Sequence, residues 1–190
     1  MVVRMHRPFG CILGSMLTTL VLGLSLAAAQ IPDFGGKEQA EQMKKLTFLV
    51  GDWKGTGKYI VPGREVEIES TERVEWGAGG TCLMVIGKHW MKGPNDQRLL
   101  IHDAAAMMRY DLPAKGYRMR AQLANGLGND FEVEVGDKGF VWGMATESSG
   151  STRYTMKLTD AGEWNEVGER STDDGKTWTK FIEMTLSKTK

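Results

Sequence analysis

Two histidines lie in the middle of the chain, His89 and His102, and an acidic residue upstream, Glu72, could meet them in the folded protein. Imidazole and carboxylate groups bind zinc where three of them converge, and they also transfer protons in acid–base catalysis. The same residues are explained more simply as the polar lining of a cavity or as buried hydrogen-bonding partners. We therefore predict no metal site and assign no catalytic residue.

A second group of charged residues follows in the last third of the chain: Glu166, Arg170 and Lys180. The alternation of side chains there predicts that all three point inward, together with Trp178. Charge inside a fold is costly unless it is paired or in contact with water. We expect Glu166 to pair with Lys180 and Arg170 to stack on the Trp178 indole, so that the group either closes one end of the fold or contacts a ligand.

The sequence lacks the common catalytic motifs. It contains no Gly-x-Ser-x-Gly, no His-Glu-x-x-His and no phosphate-binding loop. With 24 basic and 24 acidic residues the chain carries no net charge, and no basic cluster stands out, so a nucleic-acid partner is not expected. An enzymatic function stays open but is not favoured.

Residues 1–29 are typical of a secretory signal peptide. Arg4 and Arg7 precede an apolar stretch, which is followed by three alanines ending at Ala29. Cleavage there would leave a periplasmic or secreted protein without a membrane span; an uncleaved anchor helix is the less favoured alternative. Of the two cysteines only Cys82 would remain, so no intrachain disulfide is expected.

The elements that must position the polar residues are strands. Between residues 48 and 188, runs of alternating apolar and polar residues are separated by turn sequences, and residues 30–47 before them include a short amphipathic helix, Lys37–Leu46. Turn length sets the register of each hairpin, and the registers agree from one hairpin to the next; a single bulge, for which Ala104–Ala106 is the favoured place, would break this agreement. The predicted turns are Pro62–Gly63, Gly77–Gly80, Gly93–Asp96, Leu112–Lys115, Asp137–Lys138, Asp160–Gly162 and Asp173–Gly175.

These registers place one apolar face inward along about ten antiparallel strands. The pattern predicts an all-β protein, an up-and-down barrel wide enough to enclose a cavity; a two-sheet sandwich is the alternative. We expect the ligand-binding wall of that cavity to consist of Trp76, His89, His102, Met108, Tyr110, Tyr117, Met119, Trp142, Met144 and Tyr154.

The first strand contains the sequence Gly51-Asp52-Trp53-Lys54-Gly55-Thr56-Gly57. It resembles the Gly-x-Trp strand of lipocalin-like (calycin) barrels and, more closely, the Gly-x-Trp-x-Gly-x-Gly of nitrobindin-like domains. Farther on, the Tyr110-Asp111 and Glu163-Trp164 segments resemble an uncharacterised family of secreted bacterial proteins related to those barrels. The resemblance implies a small-molecule-binding barrel in which a basic side chain, Arg170 or Lys180, packs over Trp53.

The resemblance does not carry a haem site over to this chain. Nitrobindins hold haem through a histidine near the C-terminal end, and this sequence has none there. We predict an exported barrel that binds a small apolar or amphipathic molecule without a cofactor. The alternatives are a haem-binding or enzymatic barrel that uses His89 and His102, and a structural envelope protein with a filled interior. The oligomeric state is left open.

Overall fold

The computed structural model describes residues 36–146 and 150–189; the predicted signal peptide lies outside them. Ten antiparallel strands form one closed barrel in which each strand pairs with its neighbours in the chain and β1 pairs with β10. The predicted fold class is therefore confirmed. The elements are a helix α1 (Gly36–Met43), a 3-10 helix (Lys44–Leu49), β1 (Gly51–Val61), β2 (Arg64–Gly77), β3 (Cys82–Lys92), β4 (Arg98–Asp111), β5 (Gly116–Leu123), β6 (Gly128–Gly136), β7 (Gly139–Thr146), β8 (Gly150–Leu158), β9 (Trp164–Ser171) and β10 (Thr179–Lys188), with 3-10 turns at Ala78–Gly80 and Pro94–Asp96.

The α-helix and the 3-10 helix cover one end of the barrel, called the closed end below. Met43, Leu46 and Leu49 are fully buried against the strands. The Trp53 indole nitrogen donates a hydrogen bond to the Leu49 carbonyl at 2.7 Å. This contact joins the start of the first strand to the cover, so the tryptophan of the Gly-x-Trp sequence closes the barrel as a buried residue.

Four hairpins have the predicted register. Tyr59 pairs with Val66, Tyr110 with Tyr117, Val135 with Phe140, and Leu158 with Trp164. In each hairpin a short turn leaves little choice of pairing, and a shift by one residue would turn the apolar face outward.

The hairpin between β3 and β4 departs from the predicted register in two places. Lys92 pairs with Arg98, so the loop is one residue longer than the predicted turn Gly93–Asp96. The register shifts between His89 and Trp90, where Ile101 of β4 is the additional residue, and not near Ala104–Ala106. His89 consequently pairs directly with His102, whereas the predicted register made them diagonal neighbours.

The hairpin between β9 and β10 also differs from the prediction. The expected three-residue turn at Asp173–Gly175 is a longer loop, because side chains hold it open. The Ser171 hydroxyl accepts a hydrogen bond from the Gly175 amide, and the Asp173 carboxylate accepts from both the amide and the hydroxyl of Thr177. Past the loop, β10 has a second bulge between Lys180 and Ile182. The residues before it, Thr179 and Lys180, have the opposite phase to the predicted one, whereas Ile182, Met184 and Leu186 after it are buried as the alternation predicts.

No helix within residues 36–146 and 150–189 is long and apolar enough to cross a membrane.

The barrel closes where β1 and β10 approach each other closely. A β-carbon added to Gly55 would lie 2.8 Å from the Leu186 Cα, and one added to Gly57 would lie 2.6 Å from the Met184 Cβ. Real β-carbons do not approach neighbours so closely, so the two glycines of the Gly-x-Trp-x-Gly-x-Gly sequence are required by this contact.

We expect Gly57→Ala to destabilise the barrel by about 2 kcal/mol or more, because the new methyl group must push β10 away. The matched control is Gly136→Ala, whose added β-carbon would meet no atom nearer than 3.8 Å; a change within about 0.5 kcal/mol is expected there. Urea unfolding of both variants measures the difference. Equal stability of the two variants would contradict the close approach.

Candidate functional site

The barrel encloses a cavity of about 190 Å³. It extends from Leu49 and Trp164 near the closed end towards His102, Leu123 and Phe181. Most of its wall is apolar, and three alanines of β4 and β5 leave room where larger side chains would fill the space. The lining residues are Leu49, Tyr59, Glu72, Val85, Gly87, His89, His102, Ala104, Ala106, Met108, Met119, Ala121, Leu123, Phe140, Trp142, Tyr154, Trp164, Glu166, Phe181 and Ile182.

Six of the ten residues predicted for the ligand-binding wall line this cavity: His89, His102, Met108, Met119, Trp142 and Tyr154. The other four do not line it. Trp76 and Met144 are 38% and 40% exposed. Tyr110 and Tyr117 instead hold the cover: the Tyr110 carbonyl accepts a hydrogen bond from Gln39, and the Tyr117 hydroxyl donates one to the Gln42 carbonyl. Alternation places residues on a face but does not show how far along the barrel the cavity reaches.

The two histidines lie side by side on the cavity wall. Their ring centroids are 4.6 Å apart, and His89 is 5% exposed. The His89 Nδ1 and the hydroxyl of the fully buried Ser70 are 2.7 Å apart. Burial lowers the pKa of His89 to about 3, with the neighbouring His102 adding to the shift, and burial also lowers the pKa of His102. Both rings are therefore neutral at neutral pH.

Glu72 presents a carboxyl group to the cavity. Its side chain is 8% exposed, and no hydrogen bond or ion pair to it exists within the described residues. It lies over the backbone of Gly87, where an added β-carbon would be 2.7 Å from the carboxyl oxygen. Burial, with a smaller contribution from Glu166, raises the pKa of Glu72 well above its ordinary value.

Glu166 is a second carboxyl group on the cavity wall. It accepts a hydrogen bond from the Trp164 indole nitrogen at 3.0 Å. Burial raises the pKa of Glu166 to about 7, although this hydrogen bond acts in the opposite direction. Burial, with a smaller contribution from the Glu166 charge, raises the pKa of Tyr59, and the same two causes raise that of Tyr154 to about 12. These four polar groups, Glu72 included, are close enough to influence one another.

Aromatic rings form the wall beside the carboxyl groups. Trp142 and Tyr154 stack in parallel with centroids 4.2 Å apart, and Phe181 meets Tyr154 edge to face at 5.6 Å. Phe181 was not predicted as a lining residue, because the bulge at Lys180–Ile182 is what turns it inward. Nothing in the alternation of β10 indicates that bulge.

Two of the predicted barrel-closing residues, Lys180 and Trp178, do not lie on the inner face. Lys180 pairs with Glu183, not with Glu166, and the Trp178 ring lies 4.1 Å from the guanidinium of Arg153, which is bound to Glu169 on the outer face. The inward placement of Lys180 and Trp178 is therefore wrong.

Arg170 is exposed and lies over Phe181 at 5.5 Å, not over Trp178. The basic residue over the Trp53 ring is Lys188, at 5.1 Å, where Arg170 or Lys180 was expected. A basic side chain does pack on the tryptophan, but from the last residue of β10.

Within the described ranges, no three His, Cys, Asp or Glu side chains converge as a metal site would require. Glu72 does not complete a site with the two histidines. The chemistry that the cavity offers is hydrogen bonding and charge pairing inside an apolar, aromatic wall.

Comparison with known proteins bears on the fold. No family model and no curated protein sequence matches the chain. Fifteen chains of solved structures match it, among them the crystal structure of Rv2717c from M. tuberculosis, at 13% identity and a TM-score of 0.55 over 78% of this chain and 97% of that one. Such a likeness supports the barrel and carries no ligand or activity with it.

The raised pKa of Glu166 predicts a loss of stability with rising pH. In the unfolded chain the group releases its proton near pH 4.5, and in the folded protein near pH 7. The folded state therefore binds more protons between these values, and the free energy of unfolding falls across that window as pH rises. Glu166→Gln removes this loss. Relative to the parent protein, the variant should gain on the order of 2–3 kcal/mol between pH 4.5 and pH 8.

Chemical unfolding of both proteins at a series of pH values measures this gain. The two neutral histidines act in the opposite direction below about pH 6.5, but they are present in both proteins and cancel in the difference. Glu67→Gln, on the exposed outer wall, is the control. Parallel pH profiles for Glu166→Gln and the parent would contradict the burial of this carboxyl group.

Proposed function

We propose that this chain is an exported β-barrel that binds a small apolar or amphipathic molecule in its central cavity. The observation that carries the proposal is the cavity itself, whose apolar wall includes polar groups that have no hydrogen-bonding partner among the described residues. Buried polar groups are nearly always hydrogen-bonded. The buried Glu72 makes no such bond to the described residues, and the hydroxyl groups of the partly buried Tyr59 and Tyr154 make none either, so a bound molecule would satisfy them.

The size of the cavity favours a compact ligand. Its volume of about 190 Å³ is below the range of roughly 300–1,000 Å³ that is usual for drug-sized ligands. This volume supports a small molecule over a large planar cofactor such as haem. A cavity of this size also argues against a structural barrel whose interior is completely filled. The resemblance to lipocalin-like and nitrobindin-like barrels agrees with the same function.

A second hollow supports a path to the cavity beside His102. It has a volume of about 220 Å³ on the outer surface and is lined by His102 and Leu123, which also line the cavity, and by Ile101 at the bulge of β4. The two spaces therefore share part of their walls. We propose that ligands enter where the bulge weakens the pairing of β4.

Tryptophan emission tests ligand binding, because Trp142 and Trp164 line the cavity. We expect a neutral compact amphiphile, 2-phenylethanol, to change this emission saturably, with an affinity no tighter than about micromolar because the ligand has few atoms to bury. Ala106→Leu should abolish the change by filling the cavity.

Ala105→Leu is the matched control for that experiment, since Ala105 is the exposed neighbour on the outer wall. It should leave the titration unchanged. A change of emission that survives in Ala106→Leu would place binding outside the cavity. No saturable change with any of a panel of compact alcohols, ketones and amines would overturn the proposed function.

Export is tested by the N-terminus of the mature protein. The basic, apolar and alanine-rich order of residues 1–29 predicts cleavage after Ala29. N-terminal sequencing of protein expressed in a bacterium with a secretion system should therefore begin at Gln30, in the periplasmic or culture fraction. Protein that retains Met1 in the membrane fraction would indicate an anchor instead.

A further inference from the structure

We propose that the polar end of the ligand is a protonated amine that binds at Glu72 and Glu166, so that the barrel selects compact amines over alcohols and carboxylic acids of the same skeleton. This inference rests on the proposed function, and it assigns the chemical class that the function leaves open.

The charges on the cavity wall favour a cation. Within the described part of the chain, two carboxyl groups and no lysine or arginine line the cavity. The two histidines stay neutral because they are buried side by side. Arg170 does influence Tyr154, but its side chain is exposed and lies over Phe181 outside the lining. A carboxylate ligand would add a third acidic group without a counter-charge, which is costly in an apolar interior.

Glu72 supplies the observation that points to a ligand. A carboxyl group more than nine-tenths buried ordinarily has a partner, and this one has none among the described residues although it lines the cavity. The absence of a side chain at Gly87 leaves room for it. An ammonium group has three donors and no acceptor, which matches two carboxyl groups and the nearby Tyr59 and Tyr154 hydroxyl oxygens.

The aromatic wall fits the same ligand class. The stacked pair of Trp142 and Tyr154, with Phe181 at its edge, lies beside the carboxyl groups. The faces of such rings attract cations, most strongly where water is excluded. The apolar remainder of the ligand would then occupy the space left by Ala104, Ala106 and Ala121.

Three probes that share one skeleton test the selectivity: 2-phenylethylamine, 2-phenylethanol and 3-phenylpropanoate. Isothermal titration at pH 7.5 should give an affinity for the amine at least about tenfold above that for the alcohol, and the weakest binding for the carboxylate. If the alcohol or the carboxylate binds as tightly as the amine, the amine assignment is overturned and the proposed function stands. If none of the three probes binds, both the amine assignment and the proposed function are overturned.

Variants locate the amine. Glu72→Gln keeps the shape of the side chain and should weaken amine binding at least about tenfold, while binding of 2-phenylethanol stays within about threefold. Glu166→Gln should act in the same direction. Glu67→Gln on the outer wall is the matched control and should change neither affinity. Equal losses for amine and alcohol in both cavity variants would overturn the assignment.

Proton release gives a readout in the unaltered protein, should a cavity variant fail to fold. Burial raises the pKa of both carboxyl groups, that of Glu166 to about 7, so Glu166 is largely protonated in the empty barrel near pH 6.5. A bound ammonium favours their ionised forms, so amine binding should release protons to the buffer. Titrations in two buffers of different ionisation enthalpy measure this release. Amine binding without proton release, or an equal release with 2-phenylethanol, would contradict the pairing.

Discussion

Closure of the barrel between β1 and β10 is the constraint on which the rest of the structure depends. The two strands approach so closely that Gly55 and Gly57 cannot carry side chains. If the seam opened, both strands would become unpaired edges, and the inner face would be exposed to water. The Trp53 indole is bound to the Leu49 carbonyl at the start of the same strand, so closure of the seam and attachment of the cover occur together.

A closed wall also creates the electrostatic properties of the interior. Once water is excluded, an ionised carboxylate or imidazolium loses solvation, and its neutral form is favoured. Ser70 satisfies His89 within the protein, whereas Glu72 has no such partner among the residues that the structure describes. The barrel therefore contains a polar group that lowers its stability when ionised.

The parts of the fold that could be predicted from the sequence are those set by local pattern. A short turn such as Pro62–Gly63 allows one register. Registers shifted by one residue are excluded because they would turn the buried face outward. The loop before β10 could not be predicted in this way, because its length depends on hydrogen bonds from the Ser171 and Asp173 side chains. The helix in the cover could be predicted from its apolar spacing. The hydrogen bonds by which Tyr110 and Tyr117 attach the cover to the barrel could not.

The cavity depends on the two places where alternation fails. Phe181 and Ile182 are consecutive, and yet both line the cavity, which a regular strand does not permit because successive side chains point to opposite faces. The bulge between Lys180 and Ile182 permits it and moves Lys180 to the outside. The bulge at Ile101 likewise brings His102 directly opposite His89. A pattern of period two therefore predicts the barrel well and the lining of its cavity less well, since bulges change the direction of the side chains that form that lining.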